Sequence, residues 1–493
     1  MADKLKQKIV SGTKWTAIDN IASRLLQLAA VSVMARLLTP EDFGLVAIGL
    51  FFIAFGAAIE ASGFTFAYIR EHDADTDAFS ALQVLSLGTA LLVVLLLLGG
   101  AHVIAEFYDR PILEAVVAAL SLTILIDGLS SPLRAHCEKS LEFRTTAKVR
   151  LAALVVSAVV AIASALMGAG FWALVLQQIV QRLTVLALLV LRGGYPRLRR
   201  PNIQKCREYL AYGWPLQLAG MLNILSREVN TVVVGKVVGV TAAGIYSRAN
   251  NLQALLVQTT VSTVEKVAFP ALSQVRDRQE DLLRWTRTSN RIYSFLIYPC
   301  LATMLVASDD VVAFLFGPQW GEAGYYMKFL VAIGWVRFLQ SGNLTLLKVQ
   351  GNTTSALTFR IYEALITVAM MMLAIPFGMI GLVLGQVASA YLSYVLVALR
   401  TQKSTGYTLT AQIEDVAFNA VLAIGCGTIA YFVQRGFEHE LALLNILQTA
   451  GICFGLFFGI ATLLRRPEAS FALVLLRQNL GLAERRPIAP SQT

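Results

Sequence analysis

The chain has 493 residues, of which 56% are hydrophobic and only 15% charged, with a formal net charge of +10 and a mean hydropathy of +0.64. A soluble globular domain does not carry this much apolar surface, so composition excludes a water-soluble enzyme and points to an integral membrane protein. Uncharged runs such as 81–105, containing LGTALLVVLLLLGG, exceed the roughly 18 residues that a spanning helix needs. Backbone in lipid must satisfy its own hydrogen bonds, and no alternating strand pattern of the barrel kind is present, so the spans are read as helices.

The basic opening MADKLKQKIV resembles that of a signal peptide, but the helix behind it is too long and is interrupted by charge, so it is expected to be retained. In chain order, spans are predicted near 13–38, 43–69, 79–100, 112–133, 148–167 and 170–191. A second set follows near 209–235, 241–269, 288–307, 325–347, 355–375 and 379–400, then a pair near 413–434 and 443–464. The expectation is an all-α polytopic membrane protein of about fourteen spans.

Charge orients these spans, because cytoplasmic loops are enriched in Lys and Arg. Lys4, Lys6 and Lys8 precede the first span; Arg134, Lys139, Arg144, Lys148 and Arg150 surround the loop after the fourth; Arg192, Arg197, Arg199, Arg200, Lys205 and Arg207 follow the sixth. The opposite loops are poor in cations: TPED at 39–42, MGAG at 167–170, SDDVVAFLFGPQWGEAG at 308–324. Both termini are therefore expected to be cytoplasmic. The acidic loop REHDADTD at 70–77 lies on the same side, which the rule tolerates because acidic residues contribute little to orientation. Cations facing an anionic leaflet account for the net charge, and no nucleic-acid partner is expected.

Two stretches recur about 200 residues apart. AGFWALVLQQIV at 169–180 matches FGMIGLVLGQVA at 377–388, pairing Gly170 with Gly378 and Gln178 with Gln386; ARLLTPEDFGLVAIG at 35–49 matches GKVVGVTAAGIYSRA at 235–249, pairing Gly44 with Gly244. Six helices per repeat is an even number, so both copies enter from the same side and are related by an axis along the membrane normal. The expected organisation is an N-terminal lobe at 1–200, a C-terminal lobe at 201–403, and a final helix pair with an amphipathic cytoplasmic tail at 404–493. Two such lobes suit alternating access to a midplane site.

Ionisable residues within the spans are the candidate machinery. Arg24, Arg182, Arg227, Arg248 and Arg337 are cationic; Asp19, Glu60, Asp127 and Glu228 are acidic. An Arg at the bilayer centre costs roughly 2.5–3.5 kcal/mol, so these groups are expected to face protein or water. Asn20, Arg24 and Gln27 stand on one helical stripe, whereas Asp19 and Arg24 point about 140° apart. Gln178, Gln181 and Arg182 form a comparable stripe. Guanidinium stays charged when desolvated and grips phosphate oxygens with paired donors, so the Arg excess points to an anionic, phosphorylated cargo. The competing reading is that the arginines pair with the acids and only fix helix packing. The acids are candidates for coupling to protons or sodium ions.

Enzymatic readings find little support. Asp73-Ala74-Asp75 imitates a metal-binding DxD but sits in a short loop without a nucleotide-binding domain around it. His72, His102, His136 and His439 are dispersed, and Cys137, Cys206, Cys300, Cys426 and Cys453 lack metal-ligand spacing, so no cofactor or metal is expected. The connection at 271–291 and the tail stretch SFALVLLRQNLG read as amphipathic interfacial helices.

RLLTPEDFGLVAIGLFF, EKSLEFRTTAKVR, GIYSRANNLQALLVQTTVSTVEKVAFPALSQVRD and FLFGPQWGEAG, in this order and spacing, resemble the polysaccharide transporter family. These are lipid-linked oligosaccharide flippases of the MOP (multidrug/oligosaccharidyl-lipid/polysaccharide) superfamily, here most like exporters of colanic acid or succinoglycan. The resemblance implies a bacterial inner-membrane protein that moves undecaprenyl-diphosphate-linked repeat units to the periplasmic leaflet for exopolysaccharide or lipopolysaccharide synthesis. Its partners would be the lipid-linked oligosaccharide, membrane lipids, and a polymerase with its export machinery. Arginines of the first helices and of the second lobe line a cationic cavity in related lipid II flippases, and Arg24 and Arg248 occupy similar helices. The last two spans can form a groove for the polyprenyl tail in such flippases. The rivals are a drug or cation exporter of the same superfamily, whose cavity should be acid-rich, and a membrane-embedded polymerase or ligase, which needs a large periplasmic loop.

Overall fold

A computed structural model describes residues 2–60, 62–71, 76–193, 202–276, 278–351, 353–437 and 439–469. Its elements are all helical: α1 Ala2–Leu37, α2 Pro40–Glu60, α3 Ser62–Arg70, α4 Thr76–Phe107, α5 Ile112–Lys139, α6 Phe143–Leu166, α7 Trp172–Gly193 and α8 Ile203–Val237. Then follow α9 Val240–Gln274, α10 Gln279–Val306, α11 Ser308–Phe316, α12 Gly321–Val349, α13 Thr353–Ala374, α14 Gly378–Thr405, α15 Leu409–Gly436 and α16 Ala442–Leu463. Asp73, Asp75, His72, the tail stretch SFALVLLRQNLG and the side chain of Glu60 lie outside the described residues.

Local chemistry sets the helix starts. Thr39, Pro40 and Asp42 open α2 as a capping box: the Asp42 carboxylate accepts from the Thr39 amide at 2.9 Å, and the Asp42 amide donates to the Thr39 hydroxyl at 3.2 Å. Asn202 caps α8 by accepting from the Gln204 amide, and Thr408 caps α15 by accepting from the Ala411 amide. The repeat-related glycines Gly170 and Gly378 both hold left-handed backbone, at φ +55° and +62°, just before or at the start of α7 and α14.

Among the described residues, nine helical stretches are long and apolar enough to cross a membrane, or ten if the pair α10 and α11, bent by 76°, is one span. The nine include Pro40–Arg70, which joins α2 to α3, and Thr358–Thr405, which runs through α13 and α14. Absent from them are α1, α8 and α9, which have the length but too much polarity: Asn20, Arg24 and Gln27 in α1, Gln217, Arg227 and Glu228 in α8, Arg248, Asn250 and Gln253 in α9. The expected interfacial helix at 271–291 is not separate. Residues from Gln279 onward belong to α10, because no breaker separates the amphipathic and apolar stretches.

The chain divides into two compact units. The first comprises Met1–Arg248, Leu315–Trp320 and Arg360–Gln386; the second comprises Ala249–Phe314, Gly321–Phe359 and Val387–Thr493. In the first, α1 lies on α6, α6 on α7, α4 on α5, and α2 with α3 runs along α8. Small residues permit the close approaches, as in membrane helix pairs generally. A Cβ on Gly63 would stand 2.4 Å from the Gly213 Cα, and one on Gly128 2.7 Å from the Ala90 Cβ. In the second unit α10 is the hub, packed on α12, α15 and α16.

Candidate functional site

Along the stripe on α1, Asn20 and Arg24 are half-buried and Gln27 is exposed, while the neighbouring Ser23 is buried. Asp19 does not meet Arg24. Its carboxylate accepts from the Ser23 hydroxyl at 2.9 Å and pairs with Arg150 of α6 at 3.4 Å. That leaves the Arg24 guanidinium with a buried Nη1 that has no hydrogen-bond partner.

Asp127, on α5, gathers two arginines. Arg182 of α7 approaches its carboxylate at 3.2 Å, and so does Arg134, which also donates to the Ser130 hydroxyl at 2.8 Å. Arg182 therefore has an acidic partner within the fold, as the packing alternative requires. Half-buried Gln178 stands one turn away on the same helix.

On α8, Arg227 is exposed and Glu228 half-buried, with Arg227 and Arg248 as the cations within electrostatic reach of Glu228. On α9, Arg248 stacks its guanidinium 4.9 Å above the centre of the Phe43 ring, and its buried Nε has no hydrogen-bond partner. Gly244, one turn before, brings α9 against the start of α2: a Cβ there would lie 1.9 Å from the Pro40 carbonyl oxygen. Four of the five candidate arginines thus belong to the first unit. Arg337 belongs to the second, where it donates to Gln340 at 3.0 Å.

Several charged groups at these positions escaped sequence reasoning. Arg134 and Arg150 counted only as loop cations, although they are the partners of Asp127 and Asp19. Arg360 and Glu363 lie inside the expected span 355–375 and pair with each other at 2.6 Å, with Glu363 only 3% exposed. Their i, i+3 spacing was the available signal. Asp415, with a fully buried side chain, accepts from Arg287, Arg291 and the Tyr407 hydroxyl, tying α10 to α15. At the opposite side of the sequence, Glu71 joins α3 to α8 by pairing with Lys205 at 2.9 Å and accepting from the Tyr209 hydroxyl.

A sequence profile described as polysaccharide biosynthesis protein matches residues 33–324, more than half of the chain. The chain belongs to that family. Its relatives include the lipopolysaccharide biosynthesis protein WzxC of Escherichia coli, 23% identical over 79% of this chain and 81% of its own. The teichuronic acid biosynthesis protein TuaB of Bacillus subtilis is 23% identical over 91% of this chain and 95% of its own. The succinoglycan biosynthesis transport protein ExoT of Rhizobium meliloti is 25% identical over 63% of each. Among solved structures, the inward closed conformation of the lipid II flippase MurJ superposes with a TM-score of 0.71, covering 93% of this chain and all of its own at 14% identity. An inward-facing multidrug resistance MATE transporter gives 0.61, covering 77% and 95% at 15% identity. The family member described here therefore shares its fold with these two transporters, and the family resemblance read from its sequence is borne out.

Proposed function

We propose that the protein flips undecaprenyl-diphosphate-linked oligosaccharide repeat units from the cytoplasmic to the periplasmic leaflet of a bacterial inner membrane, by alternating access. The observation that carries this reading is the contrast among the intramembrane arginines: Arg182 has a carboxylate partner, whereas Arg24 and Arg248 each keep a buried guanidinium nitrogen with no hydrogen-bond partner. A buried donor without a partner costs free energy, and a diphosphate supplies the missing acceptors together with the opposite charge. An organic cation, the cargo of the rival drug-exporter reading, supplies neither.

Under this reading α1, α8 and α9 cross the membrane despite their charge, because the polar faces look onto the transport path rather than lipid. This reading takes fourteen crossings from the helices of the described residues, with α2 and α3 as one broken span, α13 and α14 as two, and the nine-residue α11 left out. Both termini are then cytoplasmic, and residues 1–200 and 201–403 form the two lobes with α15 and α16 appended. Arg24 and Arg248 hold the diphosphate; Asn20, Gln27, Gln178 and Arg227 line the path on the first unit; Asp19, Asp127, Glu60 and Glu228 are the groups available for coupling to an ion gradient. A polymerase consumes the product in the outer leaflet.

The test is a leaflet assay in proteoliposomes with a labelled diphospholipid oligosaccharide. Wild-type protein is expected to expose the label to the opposite leaflet, and Arg24→Ala and Arg248→Ala each to slow this by about tenfold or more, the loss of a charge-assisted contact. Unchanged flipping in both variants would remove these residues from the site, and no flipping by wild type under any ion gradient would remove the function.

A further inference from the structure

The motif FLFGPQW, part of the family resemblance and of a cation-poor loop, has no role in the transport path proposed above. It holds an unusual position: Leu315–Trp320 belongs to the first unit, although the residues before it, Ala249–Phe314, and after it, Gly321–Phe359, belong to the second. Gly317, at φ +97°, turns the chain out of α11, and Pro318–Trp320 makes a single 3-10 turn.

This six-residue strap is seated on the end of α1. The Trp320 indole N–H donates to the Ala35 carbonyl at 2.8 Å, and the Gln319 amide donates to the same oxygen at 2.6 Å and to the Leu38 carbonyl at 3.1 Å. Last-turn carbonyls have no partner within their own helix, so the strap satisfies groups that would otherwise be left open. Trp320 is completely buried and meets the Phe43 ring edge-on, at 5.2 Å between centroids and 85° between planes. The face of that same Phe43 ring carries the Arg248 guanidinium at 4.9 Å. Trp320, Phe43 and Arg248 therefore form one contiguous row, beside the close backbone approach at Gly44 and Gly244.

We propose that the strap is a latch and that Trp320 is a positioning residue for Arg248, acting through Phe43. With the strap seated, Phe43 is fixed and its ring face holds the guanidinium in place. When an anion draws Arg248 off the ring, Phe43 loses its cation, the Trp320 seat weakens, and α9 can part from α2 at this end of the first unit. Linkage makes the effect reciprocal: unseating the strap changes the hold of Arg248 on its anion by the same factor. The proposal rests on the reading of Arg248 as the diphosphate contact.

Val240, 3% exposed at the Gly44 approach, is the reporter position. Val240→Cys is placed in the full-length protein in right-side-out vesicles, treated with a membrane-impermeant maleimide, and labelling at that position is read by peptide mass spectrometry. Gln319→Ala together with Trp320→Phe, which keeps a ring but removes the N–H, is expected to raise labelling roughly fivefold or more. Added undecaprenyl diphosphate is expected to raise it in the protein with the intact strap and in Phe43→Tyr, but not in Phe43→Leu or Arg248→Gln. Labelling that ignores the strap substitutions, or a diphosphate response retained in Arg248→Gln, would overturn the latch. Gln319→Ala alone provides the strap test if the double variant does not fold, and a maleimide rate unchanged there also overturns it. The two readings fail separately: an intact labelling pattern without flipping discards the flippase and keeps the latch, while normal flipping with unmoved labelling discards only the latch.

Discussion

Gly44 and Gly244 each sit against the first residue of the other's helix. A Cβ on Gly44 would lie 1.9 Å from the Val240 carbonyl oxygen, and a Cβ on Gly244 would lie 1.9 Å from the Pro40 carbonyl oxygen. Pro40 opens α2, Val240 opens α9, and each glycine follows its opener by one turn. The contact is therefore isologous: a residue at one position touches the partner position, and the partner touches back, as across a two-fold axis. The two glycines that meet here are the pair matched across 200 residues of sequence.

Alanine at either glycine is the sharpest test of this crossing. Gly44→Ala and Gly244→Ala are each expected to cost about 1–3 kcal/mol, the penalty of forcing an extra methyl into a packed site, because the atom met is backbone and cannot rotate away. Once one alanine has pushed the helices apart the second meets less resistance, so the double variant should lose clearly less than the sum of the two. Melting temperatures of the purified protein in detergent measure both effects, and strict additivity would mean that the two contacts are independent.

The arginines should separate into two classes. Arg182→Ala removes a partner that Asp127 shares with Arg134, so it is expected to lower the melting temperature while changing the flipping rate by less than about threefold. Arg24→Lys keeps the charge but loses the planar fork, and should fall between wild type and Arg24→Ala in flipping with little change in melting. The reverse order, a stability effect at Arg24 and a rate effect at Arg182, would assign the diphosphate to the wrong guanidinium.

In the second unit Asp415 is the group on which stability turns. Its carboxylate has a side-chain exposure of 0% and is held by Arg287 at 3.0 Å, Arg291 at 2.8 Å and the Tyr407 hydroxyl at 2.8 Å. Asp415→Asn leaves both cations without their acceptor and should cost roughly 1–3 kcal/mol, less than a wholly buried pair because the guanidinium groups are half-exposed. Arg287→Ala or Arg291→Ala should cost less, since the other arginine and Tyr407 remain. Denaturant titration in detergent decides whether the order holds.

What the sequence revealed and what it withheld divide along one physical line. Hydrophobic runs are local quantities, so most of the apolar helices were readable from short windows, whereas the cap at Thr39 was present in TPED but went unread. The glycines at 170 and 378 were readable too, since both hold positive-φ backbone that few other residues accept. Partner choice is different, because it is decided by tertiary approach. Nothing near Asp19 announces Arg150, which lies 131 residues away, and nothing near Trp320 announces the carbonyl of Ala35, 285 residues earlier. Arg150 reads as a loop cation and Trp320 as a loop aromatic until the fold brings each to its acceptor.

The interlaced composition of the first unit also orders events during synthesis. Residues 1–248 are complete long before the unit is, because it still requires Leu315–Trp320 and Arg360–Gln386. At about 5–20 residues per second, several seconds or more of translation separate the two moments. For the first part of that interval, until residue 320 has been made, the last-turn carbonyls of α1 and the ring of Phe43 stand in the nascent chain without Trp320. The amino-terminal half is thus held unfinished until the ribosome has supplied the strap, and its assembly waits on the half encoded downstream.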